Sequence, residues 1–517
     1  VGDSFTDWLA ANDPAKVDPM IEIAITPNRG DALGVHGIAR DLAARGLGTL
    51  VEAPIEPVAG TFPCPIGVTI DDDTLEHAPV FAGRVIRGVK NGPSPAWLQA
   101  KLKAIGLRPI SALVDITNYF TFDQNRPLHV FDADKVQGNL RVHLAKGGEE
   151  LLALDEKTYG FAPGHVLISD DRAVESIAGI MGGEESGCTE ETVNVFLESA
   201  YWNPVTTALT ARDLKINSDA KYRFERGVDP EFTLPGLEAA TKMVLELCGG
   251  EPSEVVVAGE VPKDHRVYRL DTKRIESLVG MSLPDAEQRA TLERLGFRLE
   301  GDMAYPPSWR SDVLGEADLV EEVARIASLT KLEPKPLPRT SAGVARPILT
   351  VAQKRERIAR RTAAALGYNE CVTYSFIDQA SAALFGGGDD ATRLENPISS
   401  EMSHMRPALL PGLLQAAKRN QARGFADLAL FEVGAAFHGG EPGEQHTLIS
   451  GLLVGQTGPR DPHGARRAVD VFDVKADAEA VLSALGAPAK VQILRGAGGW
   501  WHPGRHGKIC LGPKKVL

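Results

Sequence analysis

The chain has 517 residues, 43% of them apolar and 24% charged, with a formal net charge of -13. That length exceeds what one hydrophobic core serves and predicts about three to five packed domains. The acidic balance argues against a general nucleic-acid coat, but leaves room for one basic groove, with Lys101, Lys103, Arg223, Arg226, Arg360 and Arg361 as candidates. Cys64, Cys188, Cys248, Cys371 and Cys510 lie far apart without a CxxC pair, which excludes a zinc knuckle or a disulfide framework and points to a reducing cytosol. No apolar run approaches the ~18 residues of a membrane span, and the first residues lack a signal-peptide pattern. Val1 without a Met and the unfinished ICLGPKKVL end read as cuts, so further domains are expected outside this window.

In chain order, Ile21, Ile23 and Ile25 alternate with polar or small residues, predicting a half-buried strand. Pro27, Asn28 and Gly30 predict a turn, with Asp31 as cap of a helix carrying Leu33, Ile38 and Leu42. Pro54, Pro57 and Pro63 predict a stiff crossing. From 69 to 260 strands and helices mix: VFAGRVIRGVK and LRVHLAK read as strands, PAWLQAKLKAIGL as a helix closed by Gly106. Neither a GxGxxG nor a GxxxxGK[ST] accompanies them, so a dinucleotide fold and a phosphate loop are both unsupported. A smaller unit over 263–337 holds three predicted helices, DTKRIESLVG, SLPDAEQRATLERLGF with Ser282 as cap, and ADLVEEVARIASL, and closes on the proline-rich LEPKPLPRT. The remainder opens with the amphipathic VAQKRERIARRTAAALG, followed by predicted strands CVTYSF, ADLALFEVG, HTLISGLLVGQ and AVDVFDV, an α+β pattern around an antiparallel sheet.

Three segments carry groups capable of chemistry. LVDITNYFTFDQNRPLHVFDADKV holds Thr117, Asn118 and His129, with Pro127 fixing the approach to the histidine. Asp132 invites a base-and-orienter reading of His129, whose alternative is a hydrogen-bonded core histidine. In SIAGIMGGEESGCTEETVNVFLESAYWNP, Gly179, Gly182 and Gly183 can present backbone N–H groups to an ester or a ribose, and Glu198 follows an apolar strand where a buried carboxylate needs a partner. These features also fit a glycine hairpin beside a salt-bridged Glu198. SWRSDVLGEADLVEEVARI gathers Asp312, Glu316, Asp318, Glu321 and Glu322, with the last three sharing a helical face. Such crowding suits magnesium or, alternatively, capping and helix-dipole compensation. No GxSxG, HExxH or Cys-His nucleophile signature is present.

ITPNRGD with GIARDLA, LVDITNYFTFDQNRPLHVFDADK, GIMGGEESG with FLESAYWNP, YRFERGVD, SWRSDVLGEADLVEEVARI, and MRPALLPGLL with LFEVG occur in one order along the chain. This series resembles the beta subunit of bacterial phenylalanine-tRNA ligase over nearly the whole length. The resemblance implies an α+β multidomain chain: a split small domain and connector over 1–68, a B3/B4 editing module over 69–260, a small helical B5 domain over 263–337, and a class II synthetase-like domain over 343–517 that has lost catalysis, with Arg406 as the echo of an arginine-bearing motif. In the editing module, tRNA charged with tyrosine is deacylated by a site formed from Thr117, Asn118, His129, Ala178, Gly182 and Glu198. There Glu198 recognises the tyrosine hydroxyl, and His129 and Asn118 orient the ester or an attacking water. The resemblance also implies Mg2+ at Asp312, Asp318, Glu321 and Glu322, near the contact with an alpha subunit. Its partners are that subunit, in an α2β2 heterotetramer that charges tRNA(Phe) with ATP, and tRNA(Phe) itself; the setting is cytoplasmic. The family's amino-terminal tRNA-binding and carboxy-terminal ferredoxin-like domains fall outside this sequence. Two rival functions are a structural subunit without editing and a freestanding hydrolase of charged tRNA.

Overall fold

The computed structural model describes residues 4–12, 17, 21–338, 348–458, 462–464, 466–496, 499–512 and 515–516. The chain forms two compact units, Val1–Pro336 and Leu337–Leu517, and is a mixed α/β multidomain protein. Among the described residues no helix is long and apolar enough to cross a membrane.

The alternation at Ile21, Ile23 and Ile25 does not become a strand: residues 21–26 have no regular secondary structure. A period of two decides which side each residue faces, but a strand exists only where a neighbour completes its ladder. Asp31 does not cap the following helix, Val35–Ala44, whose N-cap is Gly34. It lies instead in a 3-10 turn, Gly30–Leu33, where the Arg29 Nε donates to its Oδ1 at 2.8 Å.

Val80–Arg87 is buried at every position but the last, as a central strand covered on both faces must be. Asn194–Tyr201 pairs along its whole length antiparallel. His129–Asp132 adds beyond Asn194–Tyr201, and Glu251–Pro252 and Val256–Gly259 pair with Val80–Arg87. On one side, Val130, Val195 and Leu197 pack against helices Ala96–Ala104, Ala112–Asp123 and Thr233–Cys248. On the other, Phe131, Phe196, Ala200 and Trp202 face Leu140, Val142 and Ile168 of a second five-stranded sheet. That sheet runs Val68–Ile70, Leu140–Leu144, Val166–Ser169, Val174–Ile177, Met181–Gly182.

The next segment holds the three expected helices, Arg274–Val279, Asp285–Arg294 and Glu316–Ala327. It is not purely helical. Tyr268–Arg269, Met303–Tyr305 and Arg298–Glu300 make a three-stranded sheet behind them. Ser282 is not the cap of the second helix: Pro284 holds that position without a side-chain bond.

In the second unit, Val351–Ala365 starts with a capping box in which Thr350 and Gln353 satisfy each other's backbone N–H. Leu428–Phe437 pairs antiparallel with Gln445–Val454 and parallel with Asn369–Glu370. Two strand expectations fail here. CVTYSF is largely irregular, with only Phe376 in a short strand, Phe376–Ile377. AVDVFDV is the start of a helix, Val471–Ala484, because Asp470 accepts the N–H groups of Phe472 and Asp473. Residues 339–347, the end of the proline-rich stretch and the start of the predicted last domain, lie outside the described residues.

Candidate functional site

A cavity of about 430 Å³ opens between the two five-stranded sheets of the first unit. The helix Ala112–Asp123 presents Val114, Thr117, Asn118 and Thr121 to it, positions spaced i, i+3, i+4, i+7 on one helical face. Leu113, Ile116 and Phe120 point the other way into the core. Thr117 spends its hydroxyl proton on the Val114 carbonyl at 2.8 Å.

Arg126 anchors the loop that follows. It is fully buried; its Nη1 donates to the Ala200 carbonyl at 3.0 Å and its Nη2 to the Asp229 carbonyl. Pro127 and Leu128 then line the cavity and lead into His129. The ladder sets His129 directly opposite Glu198, and strand alternation gives both the face shared by Phe131 and Phe196. The His129 ring packs edge-on against Phe131 with centroids 4.3 Å apart.

Neither His129 Nε2 nor Glu198 Oε2 has a hydrogen-bond partner, and both are buried. Desolvation holds the imidazole down at about 4 and lifts the carboxyl to about 8. At neutral pH the histidine is therefore uncharged and the glutamic acid largely protonated, able to donate one hydrogen bond and accept another. Neither alternative read from the sequence survives. Asp132 cannot orient His129, because three residues along a strand reverse the face; its Oδ2 accepts from Thr192 Oγ1 at 2.7 Å instead. Nor is His129 a satisfied core histidine or Glu198 a salt-bridged carboxylate.

The hairpin Val174–Gly182 forms the opposite wall with Ser176, Gly179 and Gly182. A Cβ on Gly182 would overlap the His129 ring, and one on Gly179, whose φ is +68°, would overlap Trp202. These glycines let the hairpin approach closely. Gly183 is not free to present its N–H, which donates to the Glu175 carbonyl at 2.8 Å. Of the six residues expected in the pocket, Thr117, Asn118, His129, Gly182 and Glu198 line this cavity. Ala178 sits next to it in the core, its N–H on the Val166 carbonyl at 3.2 Å. Several lining residues were not singled out in the sequence, among them Trp202, whose buried Nε1 also lacks a partner, and Ser218 and Ala220. Ser218 carried a readable signal, since it caps the short helix Asp219–Phe224 and donates to the Ile180 carbonyl at 2.7 Å.

The acidic cluster takes another form from the one expected. Arg310 grips Asp312 with two bonds of 2.8 Å and also donates to Glu322. Arg325 Nε donates to Glu322 Oε1 at 2.7 Å and its Nη1 pairs with Asp41. These arginines hold the Glu322 carboxyl down at about 2 despite its burial. Asp318 accepts the Leu314 N–H at 2.8 Å, and Glu321 is exposed. Among the described residues no group of three or more acidic, His or Cys side chains is placed to hold a metal ion. Guanidinium groups thus already compensate Asp312 and Glu322, while no arginine pairs with Asp318 or Glu321 among the described residues.

Three of the six cations expected in a basic groove are engaged elsewhere. Arg223 is buried with its guanidinium 4.2 Å from the Phe122 ring centroid, Arg226 pairs with Glu225, and Arg360 pairs with Glu356 and Glu370 in the other unit. Arg406 is likewise spent, its Nη1 2.8 Å from Glu432 Oε1 and its Nε 2.9 Å from the Ala435 carbonyl.

Three family models match the chain: the B3/4 domain over residues 77–249, the tRNA synthetase B5 domain over 268–328 and the phenylalanyl tRNA synthetase beta chain CLM domain over 334–516. Curated relatives named phenylalanine-tRNA ligase beta subunit match along its whole length. That of Ruegeria pomeroyi is 74% identical over 100% of this chain and 65% of its own. Those of Cereibacter sphaeroides and Bradyrhizobium diazoefficiens are 69% and 52% identical, over 99% and 100% of this chain and 63% and 64% of their own. The chain thus spans about 65% of the length of the relatives it matches. With three modules matched in succession and such identity throughout, the chain belongs to the phenylalanine-tRNA ligase beta-subunit family.

Proposed function

We propose that the cavity is a hydrolytic editing site that removes tyrosine wrongly attached to tRNA(Phe). The observation that carries this reading is the pair His129 and Glu198, opposed across one ladder, uncharged, and each with a polar atom left unsatisfied in the same cavity. A protonated Glu198 offers a phenolic hydroxyl both a donor and an acceptor. Phenylalanine fills the same space without meeting either, and a buried polar group left unpaired costs about 1–3 kcal/mol. The discrimination thus runs opposite to that of a synthetic pocket, which accepts phenylalanine and rejects tyrosine poorly.

The reaction is ester hydrolysis: water adds to the aminoacyl carbonyl, the bond to the ribose oxygen breaks, and a proton returns to that oxygen. An imidazole held at about 4 is a weak base, so His129 acts by holding the ester or the water through Nε2 rather than by taking a full proton. Asn118, which lines the cavity from the helix Ala112–Asp123, is the second group we propose for that task. No step passes through a metal, and the Mg2+ that the family uses is assigned to no residue here. In the whole protein this chain would work beside an alpha subunit that charges tRNA(Phe) with ATP in an α2β2 assembly in the cytoplasm; the buried ion pair of Arg406 with Glu432 fits a second unit that has given up catalysis.

The test is Glu198→Ala, assayed for single-turnover release of tyrosine from tyrosyl-tRNA(Phe) and for copurification with the alpha partner. Release should fall roughly ten- to hundredfold with assembly intact. Equal rates in mutant and parent would remove Glu198 from the site.

A further inference from the structure

The chain carries 69 acidic residues in 517, yet from Gly88 to Val114 there is not one Asp or Glu, while Lys90, Lys101, Lys103 and Arg108 all fall there. This local inversion of charge lies on the helix Ala96–Ala104 and the loop behind it, packed against the helix that supplies Thr117 and Asn118 to the cavity. Lys101, Lys103 and Arg108 are exposed, and no carboxylate forms an ion pair with any of them among the described residues. Elsewhere in the same unit many cations hold carboxylates, Arg29, Arg84, Arg141, Arg172 and Arg266 among them, and the unpaired ones, such as Lys146, Lys242 and Lys273, are scattered along the sequence.

Aromatic surface accompanies the charge. Trp97 is 46% exposed and meets Tyr119 edge-on at 6.0 Å; Lys101 Nζ lies 5.5 Å from the same Tyr119 ring. Tyr119 directly follows Asn118, so one helical turn has the cavity on one side and this patch on the other. Free cations interleaved with an exposed indole make a surface that suits single-stranded nucleic acid, in which phosphates meet the charges and a base stacks on the ring.

We propose that the patch formed by Trp97, Lys101, Lys103 and Arg108 is where the single-stranded 3′ end of an RNA crosses the protein on its way into the cavity. The proposal rests on the editing reading only in naming what the RNA carries; the surface itself binds RNA whether or not an ester is cleaved.

The experiment uses the full chain and a fluorescent single-stranded RNA ending in CCA, with the dissociation constant followed against salt. The variants are the triple reversal Lys101→Glu, Lys103→Glu, Arg108→Glu; the single change Trp97→Ala; and, as a charge-matched control, Lys146→Glu, Lys242→Glu, Lys273→Glu. The patch reversal should weaken binding at least tenfold and flatten the slope of log K against log salt by about 2, near 0.7 for each lost phosphate contact on a single strand. Trp97→Ala should weaken binding several-fold at unchanged slope. Equal losses from patch and control would overturn the proposal, as would an unchanged slope in the patch variant. Retained RNA affinity with loss of the alpha partner would overturn it too, by assigning the patch to a protein. Patch-dependent RNA binding by a chain that hydrolyses no tyrosyl-tRNA would uphold the surface and defeat the editing reading instead.

Discussion

Replacing Glu198 by Gln keeps its size, a donor and an acceptor, but removes its ionisation. Burial moves this carboxyl from 4.5 to about 8, so over that interval the unfolded chain has released a proton that the folded chain retains. The folded state is therefore penalised progressively as pH rises from 4.5 to about 8, by about 1.4 kcal/mol per pH unit. His129 has the opposite sign. Its imidazole moves from 6.5 down to about 4, so its contribution is lost as pH falls through that window. The two slopes cancel between 4.5 and 6.5, and Glu198 acts alone from 6.5 to about 8. Across that last interval the parent should lose roughly 2 kcal/mol of local stability that Glu198→Gln keeps, about a thirtyfold difference in protection. The assay is amide hydrogen exchange in Asn194–Tyr201 at the two ends of the interval, corrected for intrinsic rates. Parallel pH dependence in parent and variant would refute a neutral, buried Glu198.

Because glutamine still donates and accepts, Glu198→Gln should retain most of the tyrosine release that Glu198→Ala loses, as single-turnover kinetics would record. Gly182→Ala puts a methyl group where the His129 ring lies; it should cost about 1–3 kcal/mol in denaturant unfolding and lower deacylation at least tenfold. Arg310→Ala leaves Asp312 and Glu322 with less compensation and should destabilise the first unit by about 3–5 kcal/mol, seen as a lower unfolding midpoint. Since Glu322 is held at about 2 against an ordinary 4.5, that stabilisation is present above 4.5 and should fade as pH falls toward 2. Magnesium added to the chain should leave this midpoint unchanged in a thermal scan.

Local patterns carried much of this architecture, and pairings across the chain carried the rest. The helix Ala112–Asp123 was not expected, although 114, 117, 118 and 121 recur at helical spacing and could have announced its face. The opposition of His129 and Glu198 was not legible, since nothing in either segment sets the register between them. Their neutrality follows from that pairing and from burial, which composition does not fix. Other misses had readable signals. In HVFD the period of two already separates His129 from Asp132, and SWRSDVLGEADLVEEVAR carries Arg310 and Arg325 beside the acids they neutralise. DVFD is a capping box as readily as a strand, and Asp470 decided it for the helix. The strand expected at residues 21–25 failed for want of a partner among the described residues.

The measurement that bears most directly on the central claim is the release of tyrosine from preformed tyrosyl-tRNA(Phe) by this chain copurified with its alpha partner, with phenylalanyl-tRNA(Phe) as control. The account predicts rapid release of tyrosine and little release of phenylalanine. Failure to release tyrosine from a stable complex that binds tRNA, or equal release of both amino acids, would contradict it.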